Sequence, residues 1–226
     1  VFDAAAAPNT TSAERRLTQA EGFEKQLTAF LAQCSQDSSC AFHNNGKAEQ
    51  AFDDLLKTEA TVNATVLLTA TASSLYDDSA WNDLAKALKS AQDGDGKLVR
   101  DLYNSYYYQD AGYEDSRNVS EASIATICDD ETKRLSVAEV ASQLPTFTKA
   151  APRFGEFFGR DYTCSLWPTS ESALQQVQIS SPAPIVVIGS TNDPVTPLAS
   201  SQSMSSALEN SRFISVNSSR HTSYLK

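Results

Sequence analysis

Long apolar runs are missing from this chain of 226 residues, and so are clusters of basic residues. No run approaches the roughly 20 apolar residues that a membrane-spanning helix needs, so no membrane span is predicted. Lysine and arginine number 18, against 28 aspartate and glutamate residues, which gives a net charge of −10 at pH 7. Contacts to phosphate need clustered lysine and arginine, so this charge argues against a nucleic-acid partner. The 41% of hydrophobic residues still allow a globular protein with a sizeable core.

Closely spaced metal ligands are also missing. A zinc site needs ligand pairs about two to four residues apart, a spacing that the four cysteines lack, and His43 alone cannot complete a site. No metal is therefore expected.

Cysteine spacing favours one of the three possible disulfide pairings. Cys34 and Cys40 lie six positions apart across a polar loop short enough to close, which leaves Cys128 and Cys164 for each other. Four buried free thiols are the alternative. An even number of cysteines in an acidic chain rich in Ser, Thr and Asn favours disulfides and an oxidising, extracytoplasmic compartment.

Apolar residues recur at three- and four-residue intervals over most of residues 10–150, which is typical of amphipathic helices. Residues 62–71 are rich in β-branched side chains and fit either a strand or a helix, of which we favour the helix. Several tyrosines at residues 98–108 indicate half-buried packing or, alternatively, the wall of a substrate cleft. The region is predicted to be all-α, with helices at residues 13–33, 47–58, 98–108, 120–128 and 136–147 and a further helix capped by Asp78 and Ser79.

The pattern changes after residue 168, where strands and a helix alternate and predict an α/β fold with a parallel sheet. The elements predicted there are a strand at residues 184–189, a helix at 198–209 and a strand at 212–217. Residues 1–9 have the pattern of the end of a further strand. We therefore predict that residues 10–150 are a large helical lid inserted into one sheet, and that residues 151–226 form the C-terminal α/β core.

Asp193 follows the first of the two C-terminal strands, and His221 follows the second. Parallel sheets place their chemistry at the carboxyl ends of their strands. The order strand, acid, helix, strand, histidine is the one in which an α/β-hydrolase supplies the second and third members of a Ser-Asp-His triad. His221 is then the general base, and Asp193 holds its tautomer. A solvated loop histidine is the alternative for His221.

Two neighbours of Asp193 are candidates for supporting roles. Thr196 lies three residues after the acid, where its hydroxyl could donate to the carboxylate and fix its orientation. Capping the following helix is the alternative for Thr196. Asn192 directly precedes the acid and is the second candidate.

A nucleophile elbow, which needs glycines two before and two after a serine, is missing. Gly155 and Gly159 are the one pair of glycines four positions apart, and Phe157 between them cannot attack a carbonyl. The sequence therefore predicts the C-terminal part of a hydrolase, and we expect the chain alone to be inactive.

Several blocks of sequence carry a resemblance to a known family. The distinctive ones are CSLWP at residues 164–168, GSTNDPVTP at 189–197 and RHTSY at 220–224, and the weaker ones lie at residues 1–3, 22–23, 30–34, 40, 81–88, 94–95 and 125–130. With these blocks, the chain resembles the C-terminal part of the secreted tripeptidyl aminopeptidase-like α/β-hydrolases of actinobacteria, relatives of the prolyl iminopeptidases.

The resemblance implies a secreted or cell-surface serine exopeptidase that removes short peptides from a free N-terminus. Triad chemistry needs neither a cofactor nor a metal, so we expect no cofactor. The chain departs from the family's pattern twice. The part with the nucleophile and the oxyanion hole is absent, and the family usually continues past the histidine with a further cysteine, whereas this sequence ends at Lys226. We interpret both departures as truncation of a longer enzyme.

An aminopeptidase must also bind the substrate ammonium, which requires a carboxylate at a fixed distance from the scissile bond. Asp129 and Asp130, next to Cys128, are the candidates, although most acids in so acidic a chain are merely solvated. Two alternatives to the peptidase stay open. A different α/β-hydrolase such as an esterase would share the fold and the triad, and a noncatalytic relative would lack an upstream serine.

Overall fold

The computed structural model of the chain describes residues 1–59, 61–107, 119–131, 134–168 and 183–224. Within them the chain forms two compact units. One comprises Val1–Glu24 and Asn118–Lys226, and the other comprises Lys25–Arg117. The described chain is mostly helical and includes a small parallel sheet, as expected for part of an α/β-hydrolase.

The sheet belongs to the first unit and contains three parallel strands in the order β1-β2-β3. They are β1 (Phe2–Asp3), β2 (Ile185–Ser190) and β3 (Ser211–Val216). Val187 of β2 pairs with Phe2 on one side and with Phe213 on the other. A central strand of a parallel sheet is covered on both faces, which explains the run of Ile and Val in β2 and the burial of Val187 and Ile188.

Helix α9 (Leu198–Ala207) connects β2 to β3 and packs closely against β2. Gly189 makes this approach possible, because a Cβ at this position would lie 2.9 Å from the side chain of the fully buried Ser201. The predicted strand, helix and strand of the C-terminal region are all present, with bounds shifted by one or two residues.

The other helices agree with the predicted pattern in type and approximate position. Their bounds are α1 (Ser12–Gln36), α2 (Ala48–Thr58), α3 (Ala64–Ser74), α4 (Trp81–Gln92), α5 (Lys97–Tyr106), α6 (Val119–Asp130), α7 (Val137–Ala150) and α8 (Gly155–Gly159). The prediction missed α8, which at five residues is too short to show a periodic pattern. Tyr108, the predicted end of α5, lies outside the described residues.

Two predicted details of the helices can be compared with their local hydrogen bonds. The helix that we favoured for residues 62–71 is present as α3 (Ala64–Ser74), and Asn63 caps it by accepting from the backbone N–H of Val66. Helix α3 is buried on nearly all sides, so its sequence lacks the amphipathic period that would have distinguished it from a strand. The predicted cap of α4 at Asp78 and Ser79 was wrong: these residues lie in a short 3-10 turn before α4, which Asp77 caps by accepting from the N–H of Ser79, and no side chain caps α4 itself.

The tyrosines of α5 pack against one another at its C-terminal end. The ring centroids of Tyr103 and Tyr107 lie 5.0 Å apart, and those of Tyr106 and Tyr107 lie 5.1 Å apart. Burial, together with the neighbouring tyrosines, raises the pKa of Tyr107 above its usual value. Tyr103 and Tyr107 are half-buried, in agreement with the packing that we favoured for the segment, whereas Tyr106 is exposed.

Both predicted disulfides are present. Cys34 is bonded to Cys40 at the end of α1, and Cys128 in α6 is bonded to Cys164.

The described part of the chain contains no free cysteine and no group of three or more His, Cys, Asp or Glu placed to hold a metal ion. None of its helices has both the length and the apolar character needed to cross a membrane. The lid role of residues 10–150 stays a prediction.

A buried ion pair ties α1 to the segment that precedes α8. The carboxylate of Glu24 accepts from the backbone N–H of Arg153 at 2.8 Å, from its guanidinium at 3.0 Å and from the N–H of Phe154 at 3.2 Å. The side chains of Glu24 and Arg153 are only 11% and 12% exposed. Phe23 packs beside this pair against Phe154 and Phe158. The contact joins residues 129 positions apart, which local sequence patterns do not reveal.

Glu24→Ala should lower the free energy of unfolding by about 3–5 kcal/mol, because it leaves the Arg153 guanidinium buried without this carboxylate. Urea denaturation of the full-length protein measures the change. Glu156→Ala is the matched control, since Glu156 and Arg160 form an ion pair whose side chains are 57% and 55% exposed. We expect the control to cost about 0–1 kcal/mol. Equal losses in the two variants would contradict the role assigned to Glu24.

Candidate functional site

Asp193 and His221 lie on neighbouring loops at the carboxyl edge of the sheet. Asp193 follows β2 and precedes α9, and His221 follows β3. Backbone hydrogen bonds continue past the strand ends, from Thr191 to the carbonyl of Val216 and from Asn192 to the carbonyl of Ser218. These bonds hold the two loops side by side, so residues 28 positions apart in sequence meet at one edge.

The two side chains are directly hydrogen-bonded. Nδ1 of His221 lies 3.0 Å from Oδ2 and 3.2 Å from Oδ1 of Asp193. The Asp193 side chain is fully buried, whereas that of His221 is 25% exposed. A carboxylate can only accept at this position, so the geometry favours the tautomer in which Nδ1 carries the proton. The other ring nitrogen, Nε2, is then the one suited to accept a proton from a reacting group.

Three further hydrogen bonds hold the Asp193 carboxylate. Oδ1 accepts from the backbone N–H groups of Val195 and Thr196, at 2.8 and 3.0 Å. Oδ2 accepts from the Thr196 hydroxyl at 3.0 Å. A buried carboxylate needs such donors to remain charged. The loop that carries Asp193 therefore fixes the orientation of the carboxylate independently of the imidazole.

The structure places the Thr196 hydroxyl against the acid and not at the helix end. Pro197 is the N-cap residue of α9, and no side chain donates or accepts a hydrogen bond to cap this helix. The Thr196 hydroxyl also lies 3.4 Å from Nδ1 of His221. Asn192 is half-buried beside the acid, and its backbone N–H binds the carbonyl of Ser218. The supporting roles of both residues stay predictions.

Asp129 and Asp130 are not brought to this pair by any contact among the described residues. Both are exposed at the end of α6, directly after Cys128, which is buried and bonded to Cys164. The described contacts therefore do not support their predicted role in binding an ammonium group next to the Asp193–His221 pair.

Sequence reasoning missed the residues that hold the loop after His221. Oδ2 of Asp3 accepts from the backbone N–H groups of Ser223 and Tyr224, at 2.8 and 2.7 Å. The hydroxyl of Ser190, the last residue of β2, lies 2.7 Å from the hydroxyl of Ser223. A signal for Asp3 was present, because this residue ends β1 and an acid at the carboxyl end of a parallel strand is the feature that singled out Asp193.

Helix α1 touches the loop of the acid through Gly22. A Cβ at this position would lie 2.5 Å from the carbonyl oxygen of Pro194, the residue after Asp193. Only a glycine allows the helix backbone to come this close to the loop. Pro194 is buried in this contact region.

A cavity of about 340 Å³ lies elsewhere in the first unit, between the start of α1 and helix α7. Arg16, Glu131, Val140 and Phe147 are among the residues that line it. Neither Asp193 nor His221 does, so the cavity is separate from the pair described above.

The C-terminal third of the chain, residues 151–226, matches the family model described as TAP-like protein. These residues include both Asp193 and His221. The match confirms the resemblance that the sequence blocks indicated, which is to a hydrolase-type family.

Two curated relatives match nearly the whole chain. Over 246 aligned positions, the chain is 24% identical to the serine protease Hip1 of Mycobacterium tuberculosis and to that of Mycobacterium bovis. The alignment covers 98% of this chain and 47% of the relative. The chain therefore spans about half the length of the curated relatives that it matches.

Gly22→Ala tests the contact between α1 and the acid loop. Alanine stabilises a helix by about 0.8–1 kcal/mol relative to glycine, so helix propensity alone predicts a more stable protein. We expect the opposite, a loss of about 1–3 kcal/mol, because the added methyl group fits only if α1 or the Pro194 loop moves. Urea denaturation of the full-length protein shows whether the free energy of unfolding falls or rises.

The control for this experiment is Glu21→Ala, at the exposed neighbouring position of the same helix. It should change stability by no more than about 0.5 kcal/mol. A stabilised Gly22→Ala protein would mean that α1 does not pack against the loop as described.

Proposed function

We propose that this chain supplies the acid and the base of a serine hydrolase, with a nucleophilic serine that lies outside these 226 residues. The observation that carries the proposal is the buried Asp193 carboxylate bound to Nδ1 of His221 at the carboxyl ends of adjacent parallel strands. The match of residues 151–226 to the TAP-like protein family supports it. So does the similarity to relatives named as serine proteases, of which the chain spans about half.

In the proposed reaction, Nε2 of His221 takes the proton of the serine hydroxyl as the serine oxygen attacks the scissile carbonyl carbon. The bond between this carbon and the leaving nitrogen then breaks, and His221 returns the proton to the amine. Water releases the acyl group from the serine in a second round, with His221 again acting as base. Asp193 stabilises the imidazolium that forms in each round.

The four donors around Asp193 suit this role. The carboxylate accepts from two backbone N–H groups, from the Thr196 hydroxyl and from His221, so its orientation is set before the reaction begins. Preorganised charge of this kind costs no rearrangement at the moment of reaction. We propose that Thr196 acts as a positioning residue for Asp193, with Asn192 as a neighbour that supports the loop.

For the substrate, we propose short peptides with a free N-terminus, from which the enzyme removes an N-terminal fragment. The support is the family resemblance, together with relatives named as proteases. We further propose Asp130, with Asp129, as the carboxylate that binds the substrate ammonium. Their position beside the Cys128–Cys164 disulfide would give such a site a fixed backbone. The two disulfides also support a secreted or cell-surface location.

His221→Ala and Asp193→Asn should each lower kcat by at least about 10⁴-fold in the full-length protein, because the serine then lacks a correctly oriented base. The assay follows release of a chromogenic amine from a tripeptide with a free N-terminus. The same peptide with an acetylated N-terminus should be a poor substrate if the enzyme acts from the N-terminus.

His43→Ala is the matched control, since His43 is the other of the two histidines and lies in the other compact unit. It should keep kcat within about twofold of the parent. Retained activity in His221→Ala would favour a noncatalytic role for the Asp193–His221 pair. Equal cleavage of the free and acetylated peptides would favour a different hydrolase.

Asp130→Asn tests the proposed ammonium site. We expect KM for the free tripeptide to rise by at least about tenfold, since a hydrogen bond to a charged group is worth roughly 1.5–3 kcal/mol. Hydrolysis of a small ester without an ammonium group should not change. Glu121→Gln, an exposed acid on the same helix, controls for the loss of charge. Equal losses on both substrates would contradict a role in ammonium binding.

A further inference from the structure

Asp3 lies at the same edge of the sheet as the proposed catalytic pair. It is the last residue of β1 and pairs with Ile188 of β2, and the N–H of Ala4 continues this ladder to the Ile188 carbonyl at 3.0 Å. The carboxyl end of β1 is therefore next to the carboxyl end of β2, which leads to Asp193. Because of this register, Asp3 lies near the loops of both Asp193 and His221.

The Asp3 carboxylate binds the backbone of the His221 loop. Its Oδ2 accepts from the N–H groups of Ser223 and Tyr224, at 2.8 and 2.7 Å. These are hydrogen bonds between a charged acceptor and backbone donors, which are stronger than bonds between neutral groups. They fix the chain two and three residues after His221, although the partners lie more than 200 positions apart.

The backbone on either side of this contact has an uncommon conformation. Thr222, between His221 and Ser223, has φ of 69°, and Ala4, directly after Asp3, has φ of 56°. Residues with a Cβ rarely adopt this left-handed region and keep it only where surrounding contacts enforce it. The two bonds from Asp3 are contacts of this kind for the His221 loop.

Asp3 also carries an unsatisfied oxygen. Its Oδ1 is buried and has no hydrogen-bond partner among the described residues. An unpaired buried carboxylate oxygen is unfavourable, so this acid is not the choice that stability alone would favour. Oδ1 is unfavourably buried, whereas Oδ2 accepts two backbone N–H groups of the His221 loop. This combination points to a role of Asp3 in holding the loop.

We propose that Asp3 is a positioning residue for the hydrolase reaction. By binding the backbone after His221, it keeps the imidazole within hydrogen-bond distance of Asp193. The Ser190–Ser223 hydroxyl contact supports the same loop from β2. Asp3 is bonded to the loop backbone and acts on the imidazole through it. This inference rests on the proposed function of Asp193 and His221.

Asp3→Ala and Asp3→Asn in the full-length protein test the proposal. Asp3→Ala should lower kcat by about 10–100-fold with KM changed by less than about threefold, because a small displacement of a catalytic group is costly for rate. Asp3→Asn should lower kcat less, by about 3–10-fold, because the amide oxygen of the asparagine still accepts from both N–H groups but carries no charge. Glu156→Gln, which removes a charge from an exposed surface pair, should leave kcat unchanged.

One further readout separates positioning from a purely structural role. Titration with a serine-directed fluorophosphonate counts the competent sites, so that kcat is expressed per active site. A lower kcat per active site in Asp3→Ala supports positioning, whereas fewer competent sites with unchanged turnover per site would overturn the proposal.

His221→Ala, measured in parallel, separates the two hypotheses. If His221→Ala is inactive while Asp3→Ala keeps kcat within about twofold, the role of Asp3 is wrong and the proposed function stands. If His221→Ala stays active, the proposed function itself is wrong. Should Asp3→Ala fail to fold, Asp3→Asn decides the question, since kcat within about twofold of the parent would overturn the proposal.

Discussion

Burial of the Asp193 carboxylate is the constraint on which the rest of the site depends. A charged group in a protein interior costs several kcal/mol unless donors surround it. The backbone of Val195, the backbone and hydroxyl of Thr196, and the imidazole of His221 supply them. Three of these four donors belong to the loop that follows the acid. The orientation of the carboxylate is therefore set locally, and the imidazole alone comes from a distant part of the chain.

The parallel sheet brings the imidazole to the acid. Strands β2 and β3 are in register from Ile185 and Ser211 to Ser190 and Val216, so both end at the same edge. Parallel strands need a crossover, and α9 provides it. The carboxyl ends of such strands are where α/β proteins place their reactive groups. Asp193 and His221 therefore meet because β2 and β3 end at the same edge of the sheet.

Contacts from the N-terminal part of the chain hold the two loops from outside. Helix α1 meets Pro194 at Gly22, and Asp3 binds the backbone after His221. Each contact acts on the backbone of a loop and does not involve the carboxylate of Asp193 or the imidazole of His221. Such contacts explain how loops, which are usually mobile, can keep these two side chains at hydrogen-bond distance.

Much of this arrangement is visible in the amino-acid sequence. The run of Ile and Val before Asp193, the helical periods and the cysteine spacing each predicted an element or a pairing that the structure contains, because local hydrophobic patterns reflect which face of an element is buried. The short α8 was missed and the mostly buried α3 was ambiguous, since neither has a clear period. The sequence offered two roles for the Thr196 hydroxyl, and only the structure decided that it donates to Asp193. The bonds of Asp3 to the His221 loop and the ion pair of Glu24 depended on strand register and helix packing, because no local sequence pattern encodes contacts between positions more than 100 residues apart.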